Sequence, residues 1–508
     1  MSELAYKSVG NVESLQYYWP EVSLIGVFLL VFFIDLATGT KRSSSAGPVA
    51  VIGLAFVALV TVATHARISG EGIDGVRLFF GMAVADPVSM FFKLIFLAAT
   101  GMTILMSLKC PELEDRRLGE YFGILLLLTV GLFLMASSTN LLMFYISLEV
   151  VSYLSYVLVG FVKGDVRGSE AALKYVLFGS VSSGAMLFGI SILYGLTGTM
   201  DIYLLAQALG EGAARLPVVV ASFLVLVGIG YKISVVPFHF WTPDVYEGSN
   251  TPMTAFLSVG STAAGFALLI RFVFSATSLP GSEGGAPAVD WQQLLTVLSV
   301  ATMTLGNLVA IHQRNLKRLL AYSSIAHAGY ILMGFATLNE EGLFAALFYI
   351  AVYLFMNLGA FLVIIALRNR IHQEDLVASY KGLGRRFPAE AVMLAVFLFS
   401  LTGIPPLAGF IGKFYLFAAV IRAHLYELAV IGGLNSVVSL YYYARVLRAM
   451  FLEGDEGEAE TTETGGLLGS IAPLYKVLLV ALTVPTLVLG IYWTPLADLV
   501  RQSVGFMF

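Results

Sequence analysis

The chain holds a single cysteine, Cys110, in 508 residues. One thiol excludes a disulfide framework, a CxxC redox motif and any iron–sulfur or zinc site built on several thiolates. Histidine is scarce too, and the six residues at 65, 239, 312, 327, 372 and 424 show no HExxH or comparable ligand spacing. The sequence therefore predicts no metal and no electron carrier in this chain. Glycine spacings such as Gly228-Ile-Gly230 do not follow a strand and carry no nucleotide signal. Charge is the third deficit: Asp, Glu, Lys and Arg make up 12% of the residues, against roughly 25% in soluble domains. The N-terminus lacks a basic stretch and a small-residue cleavage site, so the first apolar run is expected to stay in the membrane as a helix.

Apolar residues are what the chain has in excess, at 58%, with 36 Phe and 50 Gly. A water-soluble fold cannot hide that much apolar surface, and glycine suits helices packed closely in lipid. A span needs roughly 17–25 apolar residues. Runs of that kind fall at about 19–38, 47–65, 87–107, 119–136, 139–161, 171–196, 217–240, 252–275, 291–311, 318–337, 342–367, 391–421, 426–452 and 472–493. The expected fold is all-α and polytopic, with about 14 transmembrane helices in one membrane domain covering 1–508. The stretch 201–214 is too short to span and is expected to form a short interfacial helix. The Gly/Pro/Ser-rich segment near 276–290 and the acidic segment near 453–469 read as flexible connections.

Numbered in order, the odd loops carry 17 Lys and Arg and the even loops five. The positive-inside rule places the odd loops in the cytoplasm and both termini on the opposite side.

Three charges stand inside apolar runs: Glu149, Lys232 and Lys413. Each costs about 2.5–3.5 kcal/mol at a helix centre on insertion scales, so such residues are usually paired or line a wet cavity. Pro237 follows Lys232, and Pro405-Pro406 precede Lys413. Proline removes a backbone donor and breaks the helix, and backbone freed at membrane depth marks cavities and ion paths. A buried lysine is suited to loading and unloading a proton, because burial and a nearby carboxylate pull its affinity in opposite directions. Glu149 is the expected partner of Lys232.

Other polar residues carry weaker signals. Lys174, near a run end, suits a relay or snorkelling to the interface equally. His239 stands at a helix end, as an interfacial residue or a proton port. His327 suits proton exchange near neutral pH and a satisfied core histidine almost equally. Lys317, in Arg314-Asn-Leu-Lys317-Arg318, reads by itself as a topology signal. Asp35, Lys93 and Lys476 read as interfacial.

Four segments carry a resemblance. They are Pro237-Phe-His-Phe-Trp-Thr-Pro-Asp-Val-Tyr-Glu-Gly248, Arg314-Asn-Leu-Lys-Arg-Leu-Leu-Ala-Tyr-Ser-Ser-Ile-Ala-His-Ala-Gly-Tyr330, Leu401-Thr-Gly-Ile-Pro-Pro-Leu-Ala-Gly-Phe-Ile-Gly-Lys413-Phe and Asn435-Ser-Val-Val-Ser-Leu-Tyr-Tyr-Tyr-Ala-Arg445. With the run count, the chain resembles the antiporter-like membrane subunits of the bacterial proton-pumping NADH:quinone oxidoreductase (respiratory complex I). The Trp241–Gly248 wording resembles the N-type members most.

The resemblance implies two five-helix repeats of inverted topology, each with a broken helix, here roughly 119–275 and 291–452, flanked by helices in 19–107 and 472–493. It implies a Glu149–Lys232 pair and a polar hydrated axis reaching Lys413, with Lys174, His239, Lys317 and His327 as modulators or axis members. Flavin, iron–sulfur clusters, NADH and quinone belong, on this view, to other subunits. The implied partners are further membrane subunits, sister antiporter-like chains among them, in a bacterial inner membrane, with no nucleic acid. One departure is Thr262, where many relatives carry a lysine or histidine. The alternatives are a subunit of a multisubunit cation/proton antiporter or membrane-bound hydrogenase, and a solitary secondary transporter.

Overall fold

The computed structural model describes residues 6–38, 46–114, 117–210, 215–277, 289–371, 375–454 and 472–505. Eleven of its helices are long and apolar enough to cross a bilayer: Trp19–Thr38, Ala46–Gly70, Pro87–Ser107, Leu118–Ser137, Leu141–Val159, Val166–Thr197, Arg215–Lys232, Thr251–Phe274, Trp291–Ile311, Leu316–Ala336 and Glu340–Arg368. The remaining three expected spans hold the pair Pro388–Thr402 and Ala408–Arg422, then Tyr426–Phe451, then Pro473–Val488. The short helix expected in 201–214 is present at Ile202–Gly210. Of the connections expected to be irregular, 278–288 and 455–471 lie outside the described residues, as do Lys41, Arg42, Arg116 and His372 of the charge and histidine readings.

Helix starts follow the sequence. Asp86, Asn140, Asp165, Asn250 and Asn315 each accept a backbone N–H from the first turn they precede, which satisfies a donor the helix cannot. Asp86 does so reciprocally with Ser89, a capping box.

The core lies off-centre in the chain order. The eighth, tenth and eleventh spans are 94% buried, while the first and second are 22% and 33% buried. Those two turn Leu29, Phe33, Ile52 and Leu59 outward, as surface meant for lipid or another subunit does.

Breaks fall in the seventh and twelfth spans. Each is fourth in a group of five, counting from Leu118–Ser137 and from Trp291–Ile311. Five is odd, so the second group enters from the opposite face, and the two groups are inverted.

Three features depart from the sequence reading. A small sheet of Tyr6–Ser8, Gly75–Leu78 and Ala83–Ala85 joins the loop after the second span to the N-terminal segment, parallel then antiparallel. An eleven-residue helix, Thr494–Val504, ends the described chain; its polar face interrupts any apolar run. Lys93, read as interfacial, and Arg271, one of the five cations counted in the even loops, are buried instead. Lys93 pairs with Glu21 at 2.6 Å and Arg271 with Asp86 at 2.6 Å. A charge near a run end can be neutralised by a neighbouring helix as well as by snorkelling, and a single run does not reveal its neighbour.

Candidate functional site

The two breaks are built alike. Arg215–Lys232 stops at Lys232, and the chain passes through Ser234 (φ +60°) and Pro237 before the short helix Trp241–Gly248. Pro388–Thr402 stops at Gly403 (φ +93°), and the chain passes Pro405 and Pro406 before Ala408–Arg422. The freed backbone groups find side chains. Trp241 Nε1 donates to the Tyr231 carbonyl at 3.0 Å, Thr302 accepts from Val236 N–H at 3.1 Å, and Ser400 Oγ accepts from Gly409 N–H at 3.0 Å.

A buried lysine stands at the C-terminal end of each first half-helix. Lys232 is the last residue of its half, 1% exposed. Lys413, 4% exposed, reaches back from the second half to donate to the Thr402 carbonyl at 2.9 Å. Cations are favoured at that end of a helix, by about 0.3–1 kcal/mol and more where partly buried. This offsets part of the cost of holding the charge in an apolar segment.

Around Lys232 the contact is with Ser152 Oγ at 3.5 Å. Ser152 lies one turn after Glu149 on the fifth span, and Glu149 itself is half-buried. The expected partnership is therefore one of a shared helix face, with Ser152 standing nearer than the carboxylate. Lys413 also donates to Ser436 Oγ at 3.3 Å and sits 4.3 Å from the Tyr330 ring centroid.

His327 joins the second group of five. Its Nδ1 lies 2.7 Å from the Tyr349 hydroxyl and its Nε2 3.2 Å from that of Tyr443, whose hydroxyl also bonds Ser323. The Tyr353 ring lies 5.2 Å from the imidazole, and its hydroxyl donates to Ser324 at 2.8 Å. Tyr330 closes the step to Lys413, because Ser436 also bonds Tyr330 at 3.2 Å.

The remaining expected residues divide by depth. His239 is buried in the first break against Phe240, and its Nδ1 has no hydrogen-bond partner among the described residues. Lys174 is half-exposed, bound to Asp244 and Glu170 at 2.8 Å each. Asp244 also holds Arg318 at 2.6 Å, so the short helix after the first break ties the two groups of five together.

Lys317 is 2% exposed and donates to the Ser249 carbonyl at 2.5 Å. Beside it lies Glu112, from the loop between the third and fourth spans. This residue, not anticipated from sequence, stands 3.8 Å from Lys317, pairs with Arg368 and accepts the Thr251 N–H at 2.6 Å. Burial alone raises a carboxyl's proton affinity, but Lys317 and Arg368 outweigh it and hold Glu112 below the ordinary carboxylate range. These groups, with Asp165, Asn250 and Asn315, line a polar cavity of about 230 Å³ at one end of the seam between the groups. No cluster of His, Cys, Asp and Glu that could hold a metal occurs among the described residues.

Residues 138–439 match the family described as NADH:quinone oxidoreductase/Mrp antiporter, TM. The chain is 48% identical over 493 residues to NADH-quinone oxidoreductase subunit N 2 of Chloroherpeton thalassium, covering 96% of this chain and 93% of that one. It is similar to a chain in a structure of respiratory complex I from Thermus thermophilus with bound aureothin. There the TM-score is 0.75 at 31% identity, over 94% of this chain and 98% of that one. A chain of the Mrp complex from a Dietzia species shares the fold, with a TM-score of 0.80 at 23% identity over 97% of each chain.

Proposed function

The chain belongs to the NADH:quinone oxidoreductase/Mrp antiporter transmembrane family, and on that footing we propose that it is a proton-translocating, N-type membrane subunit of NADH:quinone oxidoreductase. The observation that carries this reading is the pair of breaks, each with a buried lysine whose amine lies at a half-helix end among hydroxyls. Relatives named as NADH-quinone oxidoreductase subunits, alike along nearly the whole chain, favour it over a cation/proton antiporter.

Protons are held at Lys232 and Lys413 and pass between them by way of His327 and the hydroxyls around it. Glu149, sharing a helix face with Ser152, biases the Lys232 proton. His239, Lys174 and Lys317 tune the ends of the path. The repeats run from 119 to 275 and from 291 to 452. The chain contributes no redox chemistry: electron transfer through flavin, iron–sulfur clusters and quinone in other subunits supplies the drive. It sits in the bacterial inner membrane beside sister subunits, both termini on the non-cytoplasmic side.

The test is Lys232→Ala in membrane vesicles, with NADH oxidation and proton uptake measured together. The expected result is fewer protons per NADH oxidised in an assembled complex. Normal pumping in that variant removes the reading.

A further inference from the structure

Between Lys232 and His327 lies a stretch of buried polar groups that includes one unexplained amide. Gly265 on the eighth span packs against the end of the first half-helix: a Cβ there would overlap Ile233 Cγ2 and stand 3.3 Å from Lys232 Cβ. Thr262 is one turn earlier on the same face, followed back along the helix by Ser261 and Ser258. This segment, Leu257–Ser261, is wound as a π-helix, a form that is rare and recurs at functional sites. Asn357 meets it from the eleventh span, in the other group of five. Its Nδ2 donates to Ser258 Oγ at 2.6 Å, and the side chain is fully buried.

Asn357 continues a stripe. Tyr349, Tyr353 and Asn357 recur every four residues and so share one helix face. The two tyrosines surround His327, and the asparagine points the same face toward Ser258. Thr262, Ser261 and Ser258 on the eighth span and Asn357 and Tyr353 on the eleventh are thus the polar groups on these two faces: the Asn357–Ser258 bond joins the faces, Tyr353 lies against His327, and Tyr330 lies against both His327 and Lys413.

Asn357 Oδ1 is buried with no hydrogen bond among the described residues, and Ser261 Oγ, also buried outside hydrogen-bond geometry, faces the Tyr175 hydroxyl. An amide can be turned about its axis, but in either orientation one end bonds Ser258 and the other is left over. An unmet buried polar group is costly, and such groups are usually held by internal water. An apolar residue at 357 would avoid that cost, so the site is built for something polar.

We propose that Asn357 holds the water that carries protons across the seam between the two groups of five, linking Lys232 to His327. This rests on the relay reading above. The amide neither gains nor loses a proton: one arrives at the bound water as another leaves it toward the next hydroxyl, and the bonds then turn back. Asn357 is thus a positioning residue.

The test uses the assembled complex in vesicles, with proton uptake per NADH oxidised as readout and subunit content as control. Asn357→Leu keeps the size and removes both polar ends, and the ratio is expected to fall to that of Lys232→Ala. Asn357→Asp keeps the shape and both polar ends and is expected to restore most of it, which a purely packing role does not predict. If Asn357→Leu does not assemble, Ser261→Ala, which removes a hydroxyl facing Tyr175 on the sixth span, is expected to lower the ratio in its place. A wild-type ratio in assembled Asn357→Leu, or in Ser261→Ala where the first cannot be read, overturns the proposal. If Lys232→Ala is impaired while these variants are normal, the relay stands and only the role of Asn357 falls.

Discussion

At the scale of single residues, charges here are tolerated by three different means. Lys232 and Lys413 use helix ends and a few hydroxyls, with no ion pair at either among the described residues. Arg271 is held tightly, with both terminal nitrogens on the Asp86 carboxylate at 2.6 and 2.7 Å and the Ala136 carbonyl beyond. Removing one partner of such a pair costs about 3–5 kcal/mol, whereas removing both is far milder. Arg271→Met alone is therefore expected to lower thermal stability sharply in detergent. Asp86→Asn with Arg271→Met, which keeps a helix cap, should recover most of the loss. An equally unstable double variant would show that the pair is not the cause.

Glu112 gives a pH dependence. Its carboxyl is held low in the folded chain by Lys317 and Arg368, so the unfolded chain takes up the proton first as pH falls. The stability it contributes is present above the ordinary value of 4.5 and is lost as pH falls from there through the lower folded value. Melting temperatures measured through that acid range should drop more steeply for the native chain than for Glu112→Gln. Parallel curves would exclude Glu112 as a source of the acid sensitivity.

At the scale of elements, the breaks depend on close backbone approach. A Cβ at Gly409 would overlap the Ser400 carbonyl, and one at Gly490 would overlap that of Pro406. Gly409→Ala should therefore push the two halves of the twelfth span apart and displace Lys413 from the Thr402 carbonyl. The expected outcome is a loss of proton uptake larger than any loss of NADH oxidation, and an unaffected ratio would show that the break tolerates the change.

The breaks are also where the sequence was most legible. Proline beside an intramembrane lysine announces a local conflict, and local conflicts can be read along a chain. Partners across helices cannot. Asn357 is a lone amide in an apolar run, which could have been noticed, but its meeting with Ser258 depends on how two groups of five pack. Nothing in the sequence singles out Glu112 or Arg271, and Lys93 reads as interfacial, because their countercharges are far away in the sequence.

At the scale of the whole molecule, inversion places the two breaks on one continuous interior. The eighth, tenth and eleventh spans, almost wholly buried, lie between the lysines and provide the hydroxyls, His327 and Asn357. The outer spans leave apolar faces for lipid or neighbouring subunits. If Lys232 and Lys413 act in series on one path, breaking either should interrupt the same flow, and the effects should not add. The most direct measurement is protons taken up per NADH oxidised in vesicles for Lys232→Met, Lys413→Met and the double variant. The account predicts that both single variants are impaired and that the double variant is no worse than the poorer single one. A normal ratio in either single variant, or a double variant whose loss is the sum of the two, would contradict it.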